Sequence, residues 1–263
     1  MQKLKASVIV PVLNGAPHLE QCFNSILQQS TIPELIVIDG GSTDRTLEII
    51  TNNNHHISYW ETGKDTGIAN AFNRGLQQAN GDIIAILNSD DFWEEDTLEI
   101  ILDAANSYPD AGVFIGQCRL LPSNGAPYVK LPNLAAMKRY MSAYHPATFI
   151  RKSTYDTVGA YNERYKYAMD SEWLHRAIGM NVCFQKMNVI LANMRMGGLS
   201  DNMATEALKE YRISVVQNGI ASPAYANLFY WLHRTAKLLD SNKSTRSIKQ
   251  LINKIVNPTV DCQ

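Results

Sequence analysis

In the N-terminal half of the chain, apolar residues fall in short unbroken runs, and each run stops at a polar loop. Ser7-Val8-Ile9-Val10-Pro11-Val12-Leu13 is the first. Such a run reads as a strand buried on both faces of a parallel sheet. Pro11 sits near its end, where a missing ladder donor costs least. Asn14-Gly15-Ala16-Pro17 makes a turn, and Leu19, Cys22, Phe23, Ile26 and Leu27 recur at helical spacing, which predicts a helix to about residue 29. The second strand is 34–39 and ends in Asp39. Gly40-Gly41-Ser42-Thr43-Asp44 is a tight loop in which Ser42 or Thr43 is placed to cap the next helix. A short third strand, 57–60, leads through Glu61, Gly63, Asp65 and Gly67 into a helix over 68–79, closed by Asn80-Gly81. The fourth strand, 83–87, is wholly apolar and runs straight into Asn88-Ser89-Asp90-Asp91, followed by a helix over 94–107.

This strand–helix rhythm predicts an α/β fold: a doubly wound, Rossmann-like, mostly parallel central sheet flanked by helices. The carboxyl ends of parallel strands share one side of the sheet, where ligands sit. Asp39, Asp65, Asp90 and Asp91 should therefore converge. Two adjacent carboxylates at the end of a buried strand repel each other and lose hydration, and are tolerated where a cation or a set of donors neutralises them. Oxygen ligands of this kind suit magnesium or manganese. The alternative is that Asp90 and Asp91 cap the helix that follows, near its positive end. There is no Gly-x-Gly-x-x-Gly after the first strand and no Gly-Lys-Ser/Thr P-loop. A dinucleotide fold is thereby disfavoured, and a phosphate bound here would be held by a metal rather than a glycine cradle.

The second half reads as a strand over 112–121, a turn at Pro122-Ser123-Asn124-Gly125, a strand over 144–150, a helix over 169–179 and a strand over 182–192. Asp170 falls in the first turn of the 169–179 helix, where the helix dipole favours an ionised carboxylate; capping and chemistry are both open to it. Past residue 201 the pattern is helical. Leu228, Leu232, Thr235 and Leu239 share one face, and Ile248, Leu251, Ile252 and Ile255 another. Arg234, Lys237, Lys243, Arg246, Lys249 and Lys254 are opposed by one acid, Asp240, and follow Phe229, Tyr230 and Trp231. Basic charge with aromatics suits a peripheral helix on an anionic membrane surface. It equally suits a helix packed on the main domain with a solvated basic face.

Net charge is only −1, so nothing global points to nucleic acid. The four cysteines, Cys22, Cys118, Cys183 and Cys262, are far apart and form no Cys-x-x-Cys pair, which argues against a zinc site and for a reducing, cytoplasmic setting. No apolar run is long enough for a signal peptide or a membrane span. Two units are expected, a main domain over 1–200 and a C-terminal helical extension over 201–263.

Several segments carry a resemblance in their order and spacing: 7–14, Val37-Ile38-Asp39-Gly40-Gly41-Ser42-Thr43-Asp44, 65–75, Leu87-Asn88-Ser89-Asp90-Asp91, Ala168-Met169-Asp170-Ser171-Glu172-Trp173-Leu174 and Met196-Gly197-Gly198-Leu199-Ser200. Over residues 5–200 the chain resembles glycosyltransferase family 2, with its GT-A nucleotide-sugar-binding fold. The resemblance implies that Asp39 accepts from the N3–H of a uracil or similar base, that Asp65 sits against the base, and that Asp90 reaches the ribose or the metal. Asp91 would be the metal ligand proper and Asp170 the general base. Pro11, Asn14, Asn73, Arg74 and Arg195 would complete the donor-binding set, with Arg195 and Gly197-Gly198 in a mobile loop over the diphosphate and Ser200 as a donor within it. His145 would lie on the acceptor side, against the plainer reading of a structural histidine before proline. Three positions depart from the family's habit: Asn70 stands where Asp is common, Arg74 where Lys is common, and the metal motif reads Asn-Ser-Asp-Asp rather than Asp-x-Asp. The last leaves the division of labour between Asp90 and Asp91 open.

The implied activity is inverting transfer from a nucleoside-diphosphate sugar, a UDP-sugar, to a hydroxyl of a glycan or lipid-linked acceptor in bacterial cell-surface polysaccharide or lipopolysaccharide biosynthesis. The implied cofactor is Mn2+ or Mg2+, and the setting is the cytoplasm or the inner face of the membrane. The alternatives are transfer to a polyprenyl phosphate, or a non-catalytic nucleotide-sugar binder. The binder would be expected to lose the metal or base carboxylate.

Overall fold

The computed structural model describes residues 4–198 and 203–238. The sheet is built from β1 (Ala6–Val12), β2 (Glu34–Asp39), β3 (Tyr59–Thr62), β4 (Ile83–Ile86), β5 (Phe92–Trp93), β6 (Val113–Leu121), β7 (Tyr128–Lys130), β8 (Thr148–Arg151) and β9 (Phe184–Arg195). The helices are α1 (Leu19–Leu27), α2 (Thr46–Asn52), α3 (Ile68–Gln78), α4 (Thr97–Ser107), α5 (Lys152–Val158), α6 (Met169–Gly179), α7 (Ala204–Gln217) and α8 (Pro223–Leu238). Strand order is β3-β2-β1-β4-β8-β6-β9-β5, with β7 paired to β6.

The N-terminal half is the parallel, alternating unit the apolar runs predict, with β1 between β2 and β4 and β3 outside β2. Alternation along β1 sorts its side chains between two layers. Val8, Val10 and Val12 pack with Leu19, Phe23 and Ile26 of α1 and with Leu98 and Ile101 of α4. Ile9 packs on the other side with Ile36, Ile38, Phe72 of α3 and Trp173 of α6. Gly75 lets α3 approach that face: a Cβ there would lie 2.3 Å from Ile9 Cγ2.

The second half adds antiparallel pairs. β8 lies between β4 and β6 and is antiparallel to both, while β6 runs parallel to β9, and β5 antiparallel to it. The sheet is therefore mixed. Several local expectations shift. The strand expected over 144–150 is a 3-10 turn, His145–Ala147, followed by β8. The third strand begins later than expected and ends at Thr62. The helix expected from residue 94 starts at Thr97, because β5 occupies the space before it. Helix α5 and strand β7 are additional to the elements the sequence pattern predicts. Ser42 does not cap α2. It turns inward to Asp39, and Asp44 Oδ1 accepts from Thr46 N instead at 3.0 Å. On α8 the buried residues include Ala226, Phe229 and Tyr230, whereas Leu228 is 55% exposed, so the apolar face expected through Leu228 is not the packed one. Ser200, Leu239, Asp240, the basic stretch from Lys243 to Lys254, the apolar face from Ile248 to Ile255, and Cys262 lie outside the described residues.

Candidate active site

The carboxyl ends of β1 and β4, the loop after β3, the turn before β8, the N-terminus of α6 and one face of α7 surround a cleft of about 830 Å³. That is ample for a nucleotide-sized ligand. Asp90 and Asp91 stand on its wall directly after β4. Neither caps α4, whose N-terminal flank is Asp96. The capping alternative is thereby excluded.

Asp91 is 2% exposed, and its Oδ1 accepts from Arg195 N at 2.9 Å. Burial pushes its carboxyl up to about 7; the charge of Asp90 adds to this, while His145 and Arg195 oppose it. Its Oδ2 faces His145 Nε2 at 3.7 Å, and His145 Nδ1 faces Asp170 Oδ2 at 3.8 Å. One imidazole thus stands between the two carboxylates. Burial pulls the His145 pKa down, but Asp170, Asp91 and Asp90 outweigh it and raise it above the ordinary value. Asp170 Oδ1 accepts from Ser171 N at 2.6 Å in the first turn of α6, which leaves Oδ2 on the cleft side with His145.

Asn14 holds a left-handed backbone at φ 52°. Its N donates to Ser42 Oγ at 2.8 Å and its Oδ1 accepts from Thr43 N at 2.9 Å, so the loops after β1 and β2 are tied together. Asp65 folds back on its own loop, accepting from Gly67 N at 3.0 Å, and packs on Gly40, where a Cβ would come within 2.8 Å of its Oδ2. Arg195 reaches Gln21 through Nη2 and lies over the Phe92 ring at 5.5 Å.

Pro11, Asn14, Asp65, Asp90, Asp91, Asp170 and Arg195 line the cleft; Asp39, Asn73 and Arg74 do not. Asp39 is fully buried behind the wall. It accepts from Gly41 N at 3.1 Å, from Ser42 N at 3.0 Å and from the hydroxyls of Ser42 and Thr62. Helix α3 turns Ile68, Ala71 and Phe72 toward the cleft, which puts the next two residues on other faces. Asn73 pairs with both backbone groups of Tyr161, at 2.8 and 2.9 Å, and Arg74 forms an ion pair with Glu61 at 2.8 Å. The opposite wall, with Tyr140, Tyr144, Lys166, Tyr167 and Leu208, comes from segments without a recognisable motif. The sequence leaves His145 open to a structural or an acceptor-side role; its placement between two carboxylates comes from the fold.

Among the described residues no three acidic, histidine or cysteine side chains group closely enough to cage a metal ion. The donor set nevertheless fits a small hard cation, which is commonly held by one or two carboxylates together with substrate phosphates. Asp90 and Asp91 are adjacent on the cleft wall, and Asn88 Oδ1 is buried beside them with no hydrogen-bond partner among the described residues.

Residues 7–155 match the model of the family described as Glycosyl transferase family 2. The chain belongs to glycosyltransferase family 2. A PGL/p-HBAD biosynthesis glycosyltransferase of Mycobacterium bovis is 30% identical over 219 residues, covering 79% of this chain and 84% of that one. Among solved structures, S. aureus TarS 1-349 in complex with UDP-GlcNAc superposes with a TM-score of 0.66 at 17% identity, over 98% of this chain and 77% of that chain. A longer TarS chain is spanned over only 45% of its length. The mannosyltransferase PcManGT from Pyrobaculum calidifontis, in complex with GDP-Man and Mn2+, gives a TM-score of 0.62 at 15% identity, over 97% and 86% of the two chains. These neighbours share the GT-A fold expected for family 2, and the chain is a glycosyltransferase.

Proposed function

We propose that this family 2 enzyme is a metal-dependent, inverting transferase. It moves a sugar from a UDP-sugar to a hydroxyl of a glycan or lipid-linked acceptor in bacterial surface-polysaccharide or lipopolysaccharide assembly. The observation that carries the reading is the line Asp91–His145–Asp170 across one cleft, with gaps of 3.7 and 3.8 Å. On this reading a diphosphate-side carboxylate, Asp91, and a base-side carboxylate, Asp170, share one chamber with an imidazole between them. The UDP-GlcNAc and Mn2+ complexes of the structural neighbours support the choice of donor and of a divalent ion.

Asp91 and Asp90 would hold manganese or magnesium, with Asn88 Oδ1 beside them. The ion's contribution is to neutralise the departing nucleoside diphosphate. Pro11, Asn14 and Asp65 line the donor half of the cleft, and Arg195 closes it next to Asp91. Asp39 supports the base-binding loop from behind, through Ser42 and Thr62. Asp170 takes the proton from the acceptor hydroxyl as that oxygen attacks the anomeric carbon. Among the described residues the acceptor half offers one carboxylate, Asp170, as base and no second one as nucleophile, which favours single displacement with inversion, by the geometric logic that applies to glycoside hydrolysis. The described residues contain no helix long and apolar enough to cross a membrane. Contact with the inner membrane face would be peripheral, through α8 and the basic residues after it.

Asp170→Asn tests the assignment. Nucleotide release from a panel of UDP- and GDP-sugars should fall at least ~100-fold, as for the loss of a general base, while UDP affinity in manganese changes less than about twofold. Undiminished release would remove Asp170 as the base. Lost UDP binding would make it a donor-site residue.

A further inference from the structure

The N-terminus of α6 carries Asp170 but supplies no cap of its own. Its flanking residue is Ala168, which has no side-chain acceptor to offer the first backbone N–H groups. The segment leading into it, 166–168, is instead held by a side chain from another helix. Glu210, on α7, accepts three successive backbone hydrogen bonds: from Lys166 N to Oε1 at 3.0 Å, and from Tyr167 N and Ala168 N to Oε2 at 2.8 and 2.9 Å. A carboxylate filling consecutive N–H groups at a helix entrance gains from charge-assisted bonds and from the helix dipole.

The three clamped residues all line the cleft, immediately before the base. The same helix puts Ala204, Ala207, Leu208 and Tyr211 on the cleft wall. It is anchored further along by Ser214 to His175 at 2.7 Å and by Gln217, which accepts from Tyr165 Oη at 2.9 Å. The match to the family model ends at residue 155, so neither Glu210 nor its helix falls within it.

We propose that Glu210 is a positioning residue: it holds the 166–168 backbone so that Asp170 presents its Oδ2 to the acceptor hydroxyl. The inference rests on Asp170 being the base. Glu210 does not touch donor or acceptor. Its effect belongs in turnover and acceptor use, and not in donor binding.

The test compares Glu210→Gln, Asp170→Asn and Gln217→Ala in the full chain. Turnover is read as nucleotide release from whichever UDP- or GDP-sugar the wild type uses, and binding as UDP affinity in manganese. Glu210→Gln keeps the side-chain shape, but its amide nitrogen cannot accept, so part of the clamp is lost. We expect kcat to fall at least tenfold, with UDP affinity and donor KM within twofold of wild type and faster hydrogen exchange at residues 166–168. Gln217→Ala loosens the far end of the same helix and should lower Tm without lowering kcat. If Glu210→Gln does not fold, Glu210→Asp carries the same test, since it keeps the charge and withdraws the oxygens by one methylene. Unchanged kcat in the folded Glu210 variant, alongside an inactive Asp170→Asn, overturns the positioning role alone. An equal loss of kcat in Gln217→Ala overturns it too, by showing that any loosening of α7 suffices. Full activity in Asp170→Asn, or no release by the wild type from any donor, overturns the underlying reading instead.

Discussion

Asp90, Asp91 and Asp170 stand out in the sequence because a carboxylate following a buried strand or opening a helix needs an explanation, and all three line one cleft. His145 and Asp39 show the limit of that logic. The position of His145 depends on two carboxylates remote in sequence. Asp39 looked like a ligand-facing acid, yet its oxygens are taken by Gly41, Ser42 and Thr62. Which of two acids after two similar strands faces a cleft depends on loop turns that composition does not encode. Asp91 gives a test at this scale. Its folded carboxyl, pushed up to about 7, lies above the 3.8 of an unperturbed aspartate. The native state therefore binds the extra proton, and stability declines as pH rises from about 4 through about 7. Asp91→Asn removes that burden while Oδ1 can still accept from Arg195. At pH 8 without ligand it should be more stable than wild type, by up to about 4 kcal/mol at 1.36 kcal/mol per pKa unit, and melt higher; a lower Tm would contradict the buried-charge account.

Helices α3 and α6 and strand β2 were readable as elements because each has an uninterrupted period and clear ends. α5 and β5 were not: seven and two residues carry too little period to separate them from loop. Seams between elements were also hidden, and the one between α6 and α7 is testable by pH. His175 is fully buried, with Nε2 donating to Met137 O at 3.1 Å and Nδ1 accepting from Ser214 Oγ at 2.7 Å. Burial lowers its pKa to about 4 from the ordinary 6.5. Stability from this group is full above about 6.5 and is lost as pH falls toward 4, up to about 3 kcal/mol. Thermal melts across that window should show the fall, and His175→Gln should flatten it. A second test concerns close approach. A Cβ at Gly81 would lie 2.5 Å from Ser7 N, and backbone there cannot yield without disturbing the pairing of β1 with β4, so Gly81→Ala should cost roughly 2 kcal/mol or more. Gly198→Ala, with nothing within 4 Å of the new methyl, should leave Tm unchanged.

At the scale of the molecule, the parallel half was legible and the mixed half was not. β8 is a four-residue strand with only Phe149 and Ile150 apolar, which could join the sheet in either direction; its place between β4 and β6 is set by long-range pairing. That insertion carries the turn with His145 to the end of β4, beside Asp91. The fold thus brings Asp170 and His145 to Asp91, and the proposed function stands on those groups serving one ligand. The most direct test is the melting temperature with UDP and manganese, separately and together, in wild type and Asp91→Asn. A ligand at 100 times its Kd stabilises the native state by about 2.7 kcal/mol. The account predicts a clear rise in wild type only when UDP and manganese are both present, and none in Asp91→Asn. An equal rise with UDP in EDTA, or an undiminished rise in Asp91→Asn, would contradict it.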